Sequence, residues 1–241
     1  MAPLSCPAVT RKSIPDAARR LAFRRRLLAW FRRHGRDLPW RRTRDPYHIL
    51  VSEVMLQQTQ VTRVTEYWPR FLERFPTLHA LAAAAAPRVR EAWDGLGYYR
   101  RAANLHHLAQ QVVADHDGVL PRDTERLRAL PGIGRYTAGA VASFAFELAE
   151  PAVDTNVARV LRRAFHPRLA RGARGQRTLD ATARSLLPHP GRTAWATNQA
   201  LMELGALICT ARVMRCDRCP VRPVCRTGSA AARRSGSGRG A

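Results

Sequence analysis

The sequence predicts an all-α protein. Apolar residues recur at helical spacing in one segment after another, and no segment shows the strict alternation of a half-buried strand. The hydrophobic content of 46% is that of a globular chain. At 241 residues, the chain is long enough for one large domain or two small lobes.

The charge of the chain points to a polyanionic partner. The formal net charge is +23 and the pI is about 11.6, with Lys12 as the only lysine. Such an excess favours nucleic acid over an anionic membrane. No apolar run is long enough to span a bilayer, and the N-terminus lacks the apolar stretch of a secretory signal. We therefore expect a soluble cytoplasmic protein whose cysteines stay reduced.

The first half of the chain reads as a series of helices. Residues 1–15 resemble a flexible tail with one unremarkable thiol, Cys6. A helix with an apolar face begins at Asp16 and ends at Gly35, and a long helix is predicted from about Pro46 to Tyr67. Shorter helices follow through Phe75, the alanine run 82–86 and residues 88–94, then at about 102–116 and 123–130.

Glu53 is the acid of interest in the predicted long helix. It is embedded among apolar residues, including Ile49, Leu50 and Val54. Loss of hydration would raise the pKa of this carboxyl group, so that it could hold a proton near neutral pH. The alternative is that Glu53 faces solvent or pairs with an arginine.

A double-glycine turn, Gly95-Leu96-Gly97, precedes two tyrosines. Tyr98 could act as an aromatic wedge in DNA beside the following arginines. Both tyrosines could equally be core residues.

A second turn, Pro131-Gly132-Ile133-Gly134, joins two helices. Its glycines can take positive φ, and the helix after it would present unpaired N–H groups to a phosphate. Asp154 follows and can cap the helix that starts near Asn156, which would keep its carboxylate ionised. The alternative is a plain turn between core helices and an ordinary cap.

Further helices are predicted to Phe165, at about 176–187 and at about 192–208. Four cysteines then lie within 17 residues: Cys209, Cys216, Cys219 and Cys225. They form one metal site by this reasoning, and their uneven spacing favours an iron–sulfur cluster over zinc or free thiols. The tail 227–241 is of low complexity and is predicted to be disordered.

These motifs together resemble the helix-hairpin-helix DNA glycosylases, the superfamily of endonuclease III, over roughly residues 20–226. The markers are the LPGIG turn with a downstream aspartate and the cysteine spacing. Within the superfamily, SEVMLQQTQV, GLGYY and LPWR look like the MutY-type adenine glycosylases. Endonuclease III-like enzymes carry a lysine at the place of Tyr136 and lack the acid that matches Glu53. Many relatives have glycine where Thr155 stands.

The resemblance implies two helical lobes with DNA crossing the groove between them. A six-helix lobe at 39–146 would hold the hairpin, and residues 16–38 with 147–226 would surround a [4Fe–4S] cluster bound by the four cysteines. MutY-type proteins usually add a C-terminal domain similar to Nudix hydrolases, which we expect to be missing here. A monomer acting on double-stranded DNA with a mispaired adenine is implied.

The resemblance also implies a role for each site residue. Glu53 would protonate adenine and later activate water. Asp154 would stabilise the sugar cation, either electrostatically or through a transient covalent bond, and Asn156 would help place the water. The adenine pocket would comprise Trp40, Arg41, Leu56, Tyr136 and Glu203. DNA contacts would come from Gln58, Tyr98, Gly132, Gly134, Arg135, Arg212 and Arg215.

Three other functions fit less well. A thymine-mismatch glycosylase shares the fold, but the QQT and GLGYY motifs argue against it. A bifunctional lyase is disfavoured by Tyr136. A non-catalytic DNA-binding module with a zinc clip would bind duplexes and release no base.

Overall fold

The computed structural model describes residues 14–229 and confirms the all-α prediction. Within this range the chain forms helices and connecting turns and has no β-strand, apart from an isolated bridge between Cys209 and Met214. No helix in the described range is both long and apolar enough to cross a membrane. Cys6, Lys12 and most of the predicted C-terminal tail lie outside the described residues.

The described residues divide into two compact units. One contains 14–36 and 153–229, and the other is Asp37–Ala152. The first is therefore discontinuous in sequence, with the second inserted into it. The second boundary between the two units, at 152/153, falls six residues later than the predicted 146/147. Two contacts hold the segment before it on the inserted unit: Arg44 pairs with Glu147 at 3.1 Å, and Gly139 packs closely against the backbone of Pro151.

The inserted unit contains seven α-helices within 37–152, after a short 3-10 turn at Pro39–Arg41. They are α2 (Pro46–Met55), α3 (Val61–Arg74), α4 (Leu78–Ala83), α5 (Ala86–Ala92), α6 (Arg100–His116), α7 (Thr124–Ala129) and α8 (Arg135–Phe144). Helix α2 packs against α3, α6, α8 and the 3-10 turn. Every residue of α2 from Ile49 to Met55 is buried, so this helix forms the centre of the unit.

The prediction of one continuous helix at 46–67 is wrong, because a turn separates α2 from α3. Gln58 takes a positive φ of 57°, which no helix interior accommodates. The turn follows the end of α2 at Met55, and α3 restarts at Val61.

The discontinuous unit is built from four helices within the described residues. They are α1 (Ala17–His34), α9 (Thr155–Phe165), α10 (Ala173–Leu186) and α11 (Arg192–Leu207). Its core joins Phe23 and Leu27 of α1 to Leu161 of α9 and Leu201 of α11, all fully buried. Arg19 ties α1 to the end of the unit by donating to the carbonyl of Val224 at 2.6 Å and 2.8 Å.

The chain just beyond Cys225 differs from the predicted disorder. Residues 226–229 form a helical turn. The hydroxyl of Thr227 donates to the carbonyl of Arg163 at 2.7 Å, and the Gly228 N–H lies 3.3 Å from the sulfur of Cys225. Low complexity did not reveal these contacts, because they depend on residues far away in the sequence.

Candidate functional site

Glu53 lies at the centre of the inserted unit. It is on α2 and only 4% exposed, and Ile49 and Leu50, one helical turn earlier, are buried as well. The Tyr136 hydroxyl, at the start of α8, donates to Oε2 of Glu53 at 2.6 Å. The alternative of a solvent-facing acid is excluded by the burial. The tyrosine fixes the orientation of a carboxyl group that has little access to water.

The other predicted pocket residues of this unit come from elements that adjoin Glu53. Trp40 is 6% exposed in the 3-10 turn, and its ring meets Trp68 edge-on at 6.3 Å. Arg41 is next to it and half-buried, and Leu56 is the C-cap directly after α2. Since the 3-10 turn and α8 both pack on α2, three elements contribute predicted pocket residues.

Glu203, the fifth predicted pocket residue, lies in the discontinuous unit. It is on α11 and fully buried. Arg36 donates to it from the backbone N–H at 3.2 Å and from Nε at 2.6 Å. A buried carboxylate needs such a partner, because removing an ionised group from water is costly. Sequence reasoning missed Arg36, since nothing local connects it to a residue so far along the chain.

The hairpin turn has one glycine with positive φ rather than two. Gly132 has φ +75° and lies against the side chain of Asn104, whereas Gly134 has an ordinary φ of −87°. Gly134 caps α8 without a side-chain hydrogen bond. Gly132, Gly134 and Arg135 are all exposed. The start of α8 thus presents backbone N–H groups at the surface, an arrangement that suits a phosphate.

Gln58 and Tyr98 share an unusual backbone. Both have positive φ, at 57° and 48°, although neither is glycine. Gln58 is exposed and Tyr98 is 60% exposed. Non-glycine residues in this region occur where the surroundings impose the conformation, often at functional sites. The exposure of Tyr98 excludes the alternative that it is a core residue.

Asp154 is the N-cap of α9, as predicted. Its Oδ1 accepts from the Val157 N–H at 2.7 Å, and its Oδ2 accepts from the Asn156 amide at 2.9 Å. The cap is expected to favour the ionised carboxylate, but the pKa shift runs in the opposite direction. Burial raises the pKa of Asp154, and the hydrogen bonds from Val157 and Asn156 oppose that rise without cancelling it. The ionised carboxylate is thus held in a costly environment.

A chain of hydrogen bonds runs from Asp154 to the cysteine-rich loop. Asn156 accepts at its Oδ1 from Arg159 at 2.6 Å, and Nε of Arg159 donates to the carbonyl of Cys209 at 2.8 Å. Gly205 lies so close to Asn156 that an added Cβ would meet it at 2.7 Å. Sequence reasoning missed Arg159, although its position one helical turn after Asn156 is a signal that could have found it.

The four thiols of Cys209, Cys216, Cys219 and Cys225 line one cavity. None forms a disulfide, and burial raises the pKa of Cys219 to about 11. Arg163 donates to the sulfur of Cys209 at 3.3 Å. Between residues 14 and 229, no three His, Cys, Asp or Glu side chains meet closely enough to hold a single metal ion. Four sulfur donors around a shared space fit an iron–sulfur cluster, because its ligands are thiolates distributed around a larger object.

The two arginines predicted to face DNA from the cysteine-rich loop are both exposed. Arg215 also donates to the carbonyl of Leu207 at 3.1 Å, at the end of α11. No such contact is seen for Arg212 in the described part of the chain.

Two helices joined by a glycine hairpin, followed by an aspartate that caps a later helix, define a helix-hairpin-helix protein. The family model of the HhH-GPD superfamily base excision DNA repair proteins matches residues 51–173. This chain belongs to that superfamily.

Comparisons with individual proteins agree with the family. The adenine DNA glycosylase of Mycobacterium tuberculosis is 50% identical over 196 residues, which are 81% of this chain and 64% of the relative. The chain thus spans about two thirds of the length of that relative.

Two solved structures share the fold. A thermostable thymine-DNA glycosylase superposes with a TM-score of 0.82 at 30% identity, covering 89% of this chain and all of the other. A trapped covalent complex of endonuclease III with DNA has a TM-score of 0.73 at 26% identity, covering 91% of this chain and all of the other.

Proposed function

We propose that this chain is a DNA glycosylase that hydrolyses the N-glycosidic bond of adenine mispaired with 8-oxoguanine or guanine. The observation that carries the proposal is the buried Glu53, oriented by the hydroxyl of Tyr136. The name of the relative from M. tuberculosis supports adenine as the base. The net charge of +23 supports duplex DNA as the partner.

The target adenine has to leave the base stack before its glycosidic bond can be reached. Gln58 and Tyr98 are assigned to DNA contacts at the mispair, since both are exposed in an imposed conformation. Gly132, Gly134 and Arg135 are assigned to a backbone phosphate. Trp40, Arg41, Leu56, Tyr136 and Glu203 are assigned to the base, with Arg36 as the partner that holds Glu203.

The chemistry needs an acid on the base and a negative charge near the sugar. Glu53, protonated, donates its proton to N7 of adenine, and the electron pair of the C1′–N9 bond leaves with the base. The deoxyribose becomes cation-like, and the carboxylate of Asp154 stabilises it electrostatically. Glu53, now ionised, takes a proton from water, and the hydroxide adds to C1′. Asn156 helps to orient that water.

The cysteines would hold a [4Fe–4S] cluster, which would supply structure and position the loop that carries Arg212 and Arg215. Purified protein should contain about four irons per chain and absorb visible light. Stoichiometric zinc without iron, in protein produced with ample iron, would refute the assignment. Cys216→Ser should reduce soluble yield and iron content.

One assay tests the function. Single-turnover base release is measured on duplexes with A·8-oxoG, A·G, A·C and G·T pairs. We expect adenine release from the first two, and Glu53→Gln should lower that rate by about 10²–10⁴-fold. Glu66→Gln is the matched control, since Glu66 is an exposed acid on the next helix. If Glu53→Gln retains the wild-type rate, its assigned role is wrong.

The likeness to a thymine-DNA glycosylase favours thymine release as a second candidate. The G·T duplex distinguishes the two, because thymine release without adenine release would overturn the adenine proposal. The same samples test whether the enzyme also cleaves the strand. A lyase needs an amine nucleophile, and we expect borohydride to trap no abundant covalent complex.

A further inference from the structure

Arg101 is a buried cation that the proposed mechanism does not use. It lies in the first turn of α6 and is only 8% exposed. Burial lowers the pKa of Arg101, and no carboxylate pairs with it among the described residues. A buried guanidinium is costly unless hydrogen bonds compensate its charge. Its partners therefore show what the residue does.

All the hydrogen bonds of the Arg101 side chain go to two short segments. One nitrogen, Nη1, donates to three carbonyls at the end of α2 and in the turn after it: Val54 at 3.0 Å, Met55 at 2.8 Å and Gln57 at 2.5 Å. The other, Nη2, donates to the Thr59 hydroxyl at 3.1 Å and to the carbonyls of Leu96 and Gly97 at 3.1 Å and 3.0 Å. One planar group thus joins the QQT turn, residues 57–59, to the GLGYY turn, residues 95–99.

These contacts surround the two non-glycine residues with positive φ that we assigned to DNA. Gln58 lies between Gln57 and Thr59, which both accept from Arg101. Tyr98 follows Gly97, and its ring lies under the guanidinium at 5.4 Å. A left-handed conformation at such residues persists only where the surroundings impose it. Arg101 contacts the neighbours of both.

The positive charge of Arg101 also lies where it stabilises the C-terminal end of α2. The last carbonyls of a helix lack internal partners and carry the negative end of the helix dipole. Arg101 satisfies two of them, on the helix that carries Glu53. Lysine could not replace it, because one ammonium group lacks the planar fork that reaches both segments.

We propose that Arg101 is a positioning residue that sets Gln58 and Tyr98 together in the conformation that extrudes the mispaired base. It acts through these residues and touches no reacting atom. The inference about extrusion rests on the proposed function, whereas the inference about the two turns does not.

The first test concerns the free protein and needs no activity. Hydrogen exchange is compared between the wild type and Arg101→Lys, with Leu108→Ala as the control. Leu108 is buried on the same helix and is not among the partners of Arg101. The two variants are compared under conditions in which their global stabilities are equal. We expect amide exchange at residues 57–59 and 96–99 to be at least tenfold faster in Arg101→Lys than in Leu108→Ala. Unchanged exchange in either segment would overturn the inference.

The second test separates positioning from general damage. Base release is measured for adenine opposite 8-oxoguanine and for adenine opposite an abasic site, where extrusion is cheapest. Misplacement of supporting groups can cost about 10²-fold in rate. We expect Arg101→Lys to lose that much on the first duplex and to recover to within about tenfold of wild type on the second. Equal losses on both would refute the positioning role, whereas no adenine release by the wild type opposite 8-oxoguanine would refute the proposed function instead.

Discussion

At the scale of single residues, Asp154 combines a helix cap with a carboxylate in a costly environment. Burial raises its pKa above the ordinary value of 3.8, against the hydrogen bonds from Val157 and Asn156. The carboxyl group of Asp154 therefore binds its proton more tightly in the native state than in the unfolded state. Stability falls as pH rises from the ordinary pKa through the raised one, and the full cost is present above both.

Asp154→Asn should therefore stabilise the protein while strongly lowering its activity. Asparagine can still cap α9, because its oxygen accepts from the N–H of Val157. At pH 7 the variant should resist denaturant better than the wild type, and the difference should disappear below about pH 4. Base release should fall by about 10²–10³-fold, since one electrostatic stabiliser is lost.

Asp16→Asn is the matched control for that measurement. Asp16 caps α1 through the same kind of bond, accepting from the Arg19 N–H at 2.8 Å, but it is exposed. Its replacement should leave both stability and activity near wild type. A lower denaturation midpoint for Asp154→Asn at pH 7 would contradict the account of its burial.

At the scale of elements, the hairpin contains two glycines with different tasks. Gly132 needs its positive φ and its close approach to Asn104. Gly134 has an ordinary φ, and an added Cβ would meet nothing within 4 Å. The first glycine thus serves the fold of the turn, and the second leaves the start of α8 open.

Alanine substitutions should separate these tasks. Gly132→Ala should cost about 1–3 kcal/mol of stability, because alanine is strained at that φ. Gly134→Ala should change stability far less, yet weaken binding to duplex DNA, because its methyl group would project where a phosphate approaches. Denaturation midpoints and equilibrium binding measure the two effects. Equal loss of stability in both variants would contradict this division.

Several elements were predictable because their signals are local. The cap at Asp154, the hairpin and the cysteine spacing are each contained in a few consecutive residues. The break between α2 and α3 was missed, because apolar periodicity continues across it. What stabilises the break is Arg101, more than 40 residues further along the chain. The partner of Glu203 was missed for the same reason, since only the tertiary fold brings Arg36 to it.

At the scale of the whole molecule, the net charge of +23 should dominate affinity for DNA. Each neutralised phosphate releases counterions, so the logarithm of the binding constant should fall linearly with that of the salt concentration. Arg135→Gln, at the start of α8, should reduce the slope by about one and weaken binding to all duplexes alike. The measurement is a salt titration on matched and mismatched duplexes.

Arg128→Gln is the control for that titration. Arg128 lies on α7 and pairs with Glu125 at 3.0 Å, so its charge is already balanced within the protein. Its loss should leave the slope nearly unchanged. If both variants shift the slope equally, the effect belongs to total charge rather than to a phosphate at the hairpin.

The discontinuous unit has a consequence for synthesis of the chain. Helix α1 leaves the ribosome before α9, α10 and α11, which cover its apolar face and begin more than a hundred residues later. At usual translation rates, Phe23 and Leu27 wait on the order of 10 s for their partners. The inserted unit can be completed during that interval. The four cysteines emerge after α1 to α11, so loading of the cluster would follow synthesis of all these helices and would complete a unit whose helix α1 was made long before.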